Sequence, residues 1–170
     1  MKAKIQKIKV LALDVDGVLT DGRIIIDNTG GEIKNFDVQD GFGLVLFQRS
    51  GFKTAIISAR SAIPTTARAK DLKINKVYQD AYPKIKAYEK MLKEFKVKDE
   101  EVCYVGDDLP DLPVLRRVGF AVSVPNGVTE VQQAADYITK KCGGHGAVRE
   151  VVELILKIQG KWNKVLAAYR

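Results

Sequence analysis

Residues 11–22, LALDVDGVLTDG, set an apolar run directly against carboxylates: Leu11, Ala12 and Leu13 read as a buried strand, and Asp14, Asp16 and Asp21 follow at once. Burying unpaired carboxylates is costly, so these are either solvated or gathered around a positive group. Asp14 and Asp16 lie two apart in an extended segment, which projects both side chains to one side. The rest of the chain decides what they face.

Working outward, Thr54 to Ser58 reads as a second buried strand and Val77–Tyr78 as a short third one. Val102 to Val105 reads as a fourth, ending in Gly106-Asp107-Asp108. Helical patterns fall between them, at 61–73 and in a long amphipathic stretch opened by Pro83. A last one starts at Gly146 and reaches Ile158 or Tyr169. Between the first strand and the next helix, GRIIIDNTGGEIKNF (22–36) has two strand-like arms around Asn28-Thr29-Gly30-Gly31, a hairpin signal. Asp40 is placed to cap the helix that follows, which runs to Gln48. This alternation predicts an α/β fold: a three-layer, Rossmann-like, mainly parallel sheet with a β-hairpin insertion after the first strand. Apolar strand runs fit burial on both faces. Neither the 41 residues between Asp16 and Ser58 nor the 25 between Ser58 and Lys84 can hold a cap domain. One domain over 1–170 is expected, with a C-terminal tail from about 140.

Open parallel sheets bind ligands beyond the carboxyl ends of their strands. Those ends carry Asp14 and Asp16, then Ser58 and Arg60, then Asp107, Asp108 and Asp111, while Lys84 opens the helix after the third strand. Asp14, Asp16 and Asp107 make an oxygen-rich nest for a hard cation that keeps some waters, and magnesium fits best. A carboxylate can also attack phosphorus, provided that an acid/base and donors to the phosphoryl oxygens stand nearby. Asp16 is the candidate acid/base, and Ser58 and Lys84 are the candidate phosphate donors. Asp108 and Asp111 could support the metal, but a helix cap and a first-turn dipole partner explain them too.

Composition narrows the class. Apolar residues are 46% and charged residues 29% of the 170, as in ordinary globular proteins. The formal net charge of +7 would attract anionic substrates. Its lysines interleave with acidic residues, as in 84–101, and no basic cluster with stacking aromatics suggests nucleic acid. No apolar run is long enough to span a bilayer, and the N-terminus lacks a signal-peptide pattern, so no membrane partner is expected. Cys103 and Cys142 read as reduced thiols of a cytoplasmic protein, and Cys142 with the lone His145 is too small a set for zinc.

DVDGVLT with Ser58, Lys84 and GDDLPD (106–111) resembles the four motifs of the haloacid dehalogenase superfamily. The resemblance implies Asp14 as nucleophile, Asp16 as acid/base, Ser58 and Lys84 on the phosphate, and Asp107 on magnesium. Within the superfamily, DVDGVLTDG, the hairpin through QDGFGL, ISAR, GDDLPD and GGHGAVRE resemble the family of 3-deoxy-D-manno-octulosonate 8-phosphate phosphatases over about residues 8–161. That implies a cap-less, magnesium-dependent phosphomonoesterase of lipopolysaccharide precursor synthesis. It acts on a small anionic sugar phosphate as a homotetramer whose tails cover neighbouring sites. Arg60, Asp40, Gly41 and Arg149 become candidate substrate contacts. The chain departs from the usual pattern at Gln39, Asp80 and His145, away from the aspartate chemistry, and related enzymes act on nine-carbon acid sugars. A phosphoacceptor signalling domain gathers similar groups. It places its aspartate after a later strand, however, and Asp16 would shorten the life of its phosphoaspartate. A non-catalytic assembly protein built on the same hairpin is the third class.

Overall fold

The apolar strand runs are the spine of the molecule, described by a computed structural model over residues 1–169. In chain order, α1 (Lys2–Gln6) leads into β1 (Val10–Leu13), and a hairpin of short antiparallel strands follows, β2 (Ile25–Ile26) and β3 (Glu32–Ile33). Next come α2 (Val38–Arg49), β4 (Lys53–Ile57), α3 (Ile63–Asp71), β5 (Lys76–Tyr78), α4 (Lys84–Phe95) and β6 (Val102–Gly106). The chain continues through α5 (Leu112–Leu115), β7 (Phe120–Ser123), α6 (Thr129–Ala134), β8 (Tyr137–Ile138), α7 (Ala147–Ile158) and α8 (Trp162–Ala167). Six strands form one sheet in the order β5-β4-β1-β6-β7-β8, with every pairing parallel. The expected α/β, Rossmann-like architecture is the one observed.

Strand alternation sorts the core into two layers. Leu11 and Leu13 of β1, Cys103 and Val105 of β6, and Phe120 and Val122 of β7 pack with α1, α2, α3 and α7. Val10, Ala12, Val102, Tyr104 and Ala121 face the other way, onto Tyr88, Met91 and Phe95 of α4 and Val114 and Leu115 of α5. Fully buried side chains such as Phe47, Tyr88 and Tyr104 fill these layers, each worth roughly 1.5–3 kcal/mol of apolar burial.

Several local expectations shift. The N-terminal basic stretch forms a short helix, α1, that buries Ile5. The last helical pattern is two helices, because Gly160 takes φ +70° between α7 and α8. Arg170, the end of the expected tail, lies outside the described residues. Asp40 does not cap α2: Asp37 does, accepting from the Gln39 and Asp40 N–H groups at 2.6 and 3.1 Å. The hairpin turn forms as expected, with Asp27 accepting from the N–H groups of Thr29 and Gly31, both at 2.8 Å. Among the described residues no helix is long and apolar enough to cross a membrane.

Candidate active site

Register brings the reactive groups to one edge. Leu13 of β1 lies opposite Ile56 of β4 and Val105 of β6, so Asp14, Ser58 and Asp107 follow neighbouring strand ends. Asp14 stays in the ladder, its N–H donating to the Val105 carbonyl at 3.0 Å. Gly17 then turns the loop at φ +98°, and a side chain there would collide with the Asp107 carboxylate. The two aspartate loops can approach only because that position is glycine.

At the centre is a buried ammonium. Lys84, the first residue of α4 and 3% exposed, donates to Asp14 Oδ1 and Asp111 Oδ1, each at 2.6 Å. Asp14, Asp107 and Asp111 offer oxygens that all lie within 4.8 Å of one another. With all three ionised, Lys84 leaves two negative charges uncompensated, and the field responds accordingly. Burial, then Asp111, push the Asp14 carboxyl up to about 6 against the pull of Lys84. Burial, then Asp14 and Asp111, push Asp107 up to about 8. Burial works against the Lys84 ammonium, but Asp14 and Asp111 outweigh it and hold the pKa raised. Asp107 Oδ1 is buried without a hydrogen-bond partner. A divalent cation with oxygen preference fits this residual charge and this orphaned oxygen.

Asp111 is the organiser of the cluster. Its Oδ1 accepts from Lys84 and from the buried Tyr104 hydroxyl at 2.6 Å. Its Oδ2 accepts from the N–H groups of Asp107 and Asp108 at 3.0 and 3.2 Å. Four donors fill its lone pairs. Asp108 is exposed and spends its carboxylate on the Leu109 N–H at 2.8 Å, outside the three-carboxylate cluster.

Asp16, expected in the metal nest beside Asp14 and Asp107, is not in the three-carboxylate cluster: the chain enters a turn at Asp16, and its side chain points toward the hairpin. Its carboxylate is ion-paired with Lys34 and lies 3.6 Å from Arg60 Nη1. Glu32 completes a ring, 2.9 Å from Lys34 Nζ and 3.2 Å from Arg60 Nη2. Arg60 thus stands beside Asp16, as its place after the second strand suggested. Ser58 is buried at the same edge, its Oγ accepting from the Arg60 N–H at 3.3 Å.

The other expected contacts gather elsewhere. Asp40 is buried in the seam between α2 and α7, where it accepts from the N–H groups of Gly146 (3.1 Å) and Arg149 (2.7 Å). A side chain on Gly41 would run into the guanidinium of Arg68. The Arg149 side chain bonds Glu153 at 2.8 Å and stacks over Phe42 and Trp162. Sequence reasoning missed Glu32, Lys34, Tyr104 and Asn126. Asn126 clamps the catalytic loop, donating to the Gly17 carbonyl and accepting from the Gly143 N–H, both at 2.8 Å. Glu32 and Lys34 did carry a signal: they alternate with Ile33, so both face inward while Ile33 is exposed.

Comparison with known proteins gives the family. The family model for haloacid dehalogenase-like hydrolases matches residues 52–151. The 3-deoxy-D-manno-octulosonate 8-phosphate phosphatase of Escherichia coli strain K12 is 43% identical over 159 residues, covering 94% of this chain and 85% of that protein. The Yersinia pestis enzyme of that name is 42% identical over 154 residues, 91% of this chain and 82% of its own. The Moraxella catarrhalis phosphatase, solved in complex with magnesium ion, phosphate ion and KDO, superposes with TM-score 0.97 at 44% identity. The match covers 99% of this chain and 97% of that one. The cobalt-bound Haemophilus influenzae enzyme superposes with TM-score 0.90 at 35% identity, over 93% and 92% of the two chains. The chain belongs to the haloacid dehalogenase-like hydrolases and, within them, to the family of 3-deoxy-D-manno-octulosonate 8-phosphate phosphatases.

Proposed function

We propose that this chain is a magnesium-dependent phosphomonoesterase. It releases phosphate from 3-deoxy-D-manno-octulosonate 8-phosphate in lipopolysaccharide precursor synthesis, as one domain over 1–170. The observation that carries this reading is the Asp14–Lys84–Asp111 arrangement, a nucleophile-grade carboxylate fixed at 2.6 Å from a buried ammonium beside Asp107.

The chemistry follows from where each group stands. The Asp14 carboxylate attacks phosphorus, the P–O bond to the sugar breaks, and an aspartyl-phosphate forms. Asp16 gives its proton to the departing sugar oxygen, then takes one from the water that cleaves the aspartyl-phosphate. The Ser58 hydroxyl and Lys84 hold the phosphoryl oxygens as charge shifts onto them. Asp14 and Asp107 would hold the magnesium, which supplies charge neutralisation to a dianionic phosphate approaching carboxylates. Asp111, saturated by four donors, keeps Lys84 and the Asp107–Asp108 backbone in place, and acts on the metal at most through water. Arg60 sits where a planar fork can meet the sugar acid. The Asp40, Gly41 and Arg149 seam shapes the wall behind the glycine loop. Gly143 packs on Gly17 there.

The finer biology belongs to the same reading. The chain works in the cytoplasm as a homotetramer, supported by the bare isoleucine face of the hairpin. The test is phosphate release from 3-deoxy-D-manno-octulosonate 8-phosphate, with nine-carbon acid sugar phosphates as competitors, with and without magnesium. Wild type turns over only with magnesium and prefers the eight-carbon ester. Asp14→Asn loses at least about 10³-fold in kcat, as removal of a catalytic nucleophile does. Absence of magnesium-dependent turnover in wild type refutes the reading.

A further inference from the structure

The hairpin carries a charged side chain into the site of its own chain. Lys34 follows β3 between the exposed Ile33 and Asn35, yet its side chain is 1% exposed. Such burial of a lysine is uncommon without paired charge, and here the ammonium sits between Asp16 and Glu32. Arg60, from the loop after β4, touches the same two carboxylates at 3.6 and 3.2 Å. Two cations therefore bracket two acidic side chains in a closed ring, which Asp16 joins to the loop that carries Asp14. Arg60 Nη1 is buried within it without a hydrogen-bond partner, 3.6 Å from Asp16 Oδ2, while Glu32 Oε1 meets the Lys34 ammonium at 2.9 Å. The ring is thus held by charge more than by saturated hydrogen bonding, and losing one cation leaves two carboxylates competing for the other.

We propose that Lys34 is a positioning residue for the phosphatase reaction. It fixes the Asp16 carboxylate toward the leaving oxygen, and Glu32 orients Lys34 in turn. The hairpin is then part of the catalytic apparatus of its own chain as well as a surface. The inference rests on the assignment of Asp16 as acid/base above. A residue that aims a general acid matters most where the leaving group is poor. An alkoxide of a sugar needs the proton; a nitrophenolate hardly does.

The experiment compares kcat/KM, which reports the steps up to loss of the leaving group, for 3-deoxy-D-manno-octulosonate 8-phosphate and p-nitrophenyl phosphate. Lys34→Met is expected to lower the sugar-phosphate value about 100-fold and the nitrophenyl value less than about 5-fold, a loss on the scale of general-acid catalysis. Lys34→Arg, which keeps the charge, restores part of the sugar-phosphate rate. Glu32→Gln gives the same substrate-dependent pattern at smaller size, and carries the test if Lys34→Met does not fold. Equal losses on both substrates, or none, in a variant that melts like wild type overturn the proposal. Wild type inactive on both substrates refutes the phosphatase reading itself, so the two failures are distinct.

Discussion

At the scale of single residues, the site is a problem in charge that the protein leaves partly unsolved. Asp14 and Asp107 are held above the ordinary carboxylate range chiefly by burial, with Asp111 adding to both and Asp14 adding to Asp107. Without magnesium, the folded state therefore binds their protons more tightly than the unfolded chain does. The stability this confers is complete below about pH 4, and is lost as pH rises through about 6 for Asp14 and about 8 for Asp107. Metal-stripped protein should therefore lose unfolding free energy progressively between pH 4 and pH 8 from these two groups. Magnesium favours the ionised carboxylates, so it should raise Tm more at pH 8 than at pH 5. Urea titrations with chelator and with magnesium at both pH values check this, and equal magnesium shifts would contradict it.

Among the elements, one carboxylate ties two helices that are remote in sequence. Asp37 caps its own helix, α2, and Asp37→Ala should cost about 1 kcal/mol, the usual value of an N-cap. Asp40 accepts from Gly146 and Arg149 at the start of α7, whose own cap position is a glycine without a side-chain acceptor. Asp40→Ala strands buried N–H groups and should cost more, about 2–3 kcal/mol. Chemical denaturation of the two variants ranks them. A smaller loss for Asp40→Ala would mean that the seam is held by the packing of α2 on α7 instead. The same pair marks what the sequence could reveal. Its periodicity and turn residues disclosed the strands, the hairpin and the edge on which Asp14, Ser58, Lys84 and Asp107 meet, because those follow from local pattern and parallel topology. Asp40 was misassigned because a capping aspartate looks identical whether its donors lie three residues ahead or more than a hundred. Tyr104 was invisible as a polar group, being one more apolar position in a buried strand until α4 and Asp111 close around it. Lys34 was legible in principle, since its alternation with Ile33 separates an inward from an outward face.

At the scale of the whole molecule, that alternation has a second consequence. The inner face of the hairpin is anchored by the ring of Lys34, Glu32, Arg60 and Asp16. The hairpin leaves Ile24, Ile25, Ile26 and Ile33 between 43% and 57% exposed, and Ile25 and Ile33, paired across the ribbon, share its outer face. A two-stranded ribbon is marginal alone in water, and four neighbouring isoleucines are a larger apolar patch than a free monomer keeps without cause. With no cap inserted between the site motifs among the described residues, a neighbouring copy seated on this face would also shelter the aspartyl-phosphate from water. Light scattering at micromolar concentration should therefore give the mass of four chains. The double variant Ile25→Asp, Ile33→Asp should reduce it to smaller species, because burying those carboxylates in an apolar contact is prohibitive. If the hairpin ring works within each chain, the dissociated variant keeps its preference for the poor leaving group while losing turnover. A fall in both the mass and that preference would instead assign the positioning of Asp16 to the assembly.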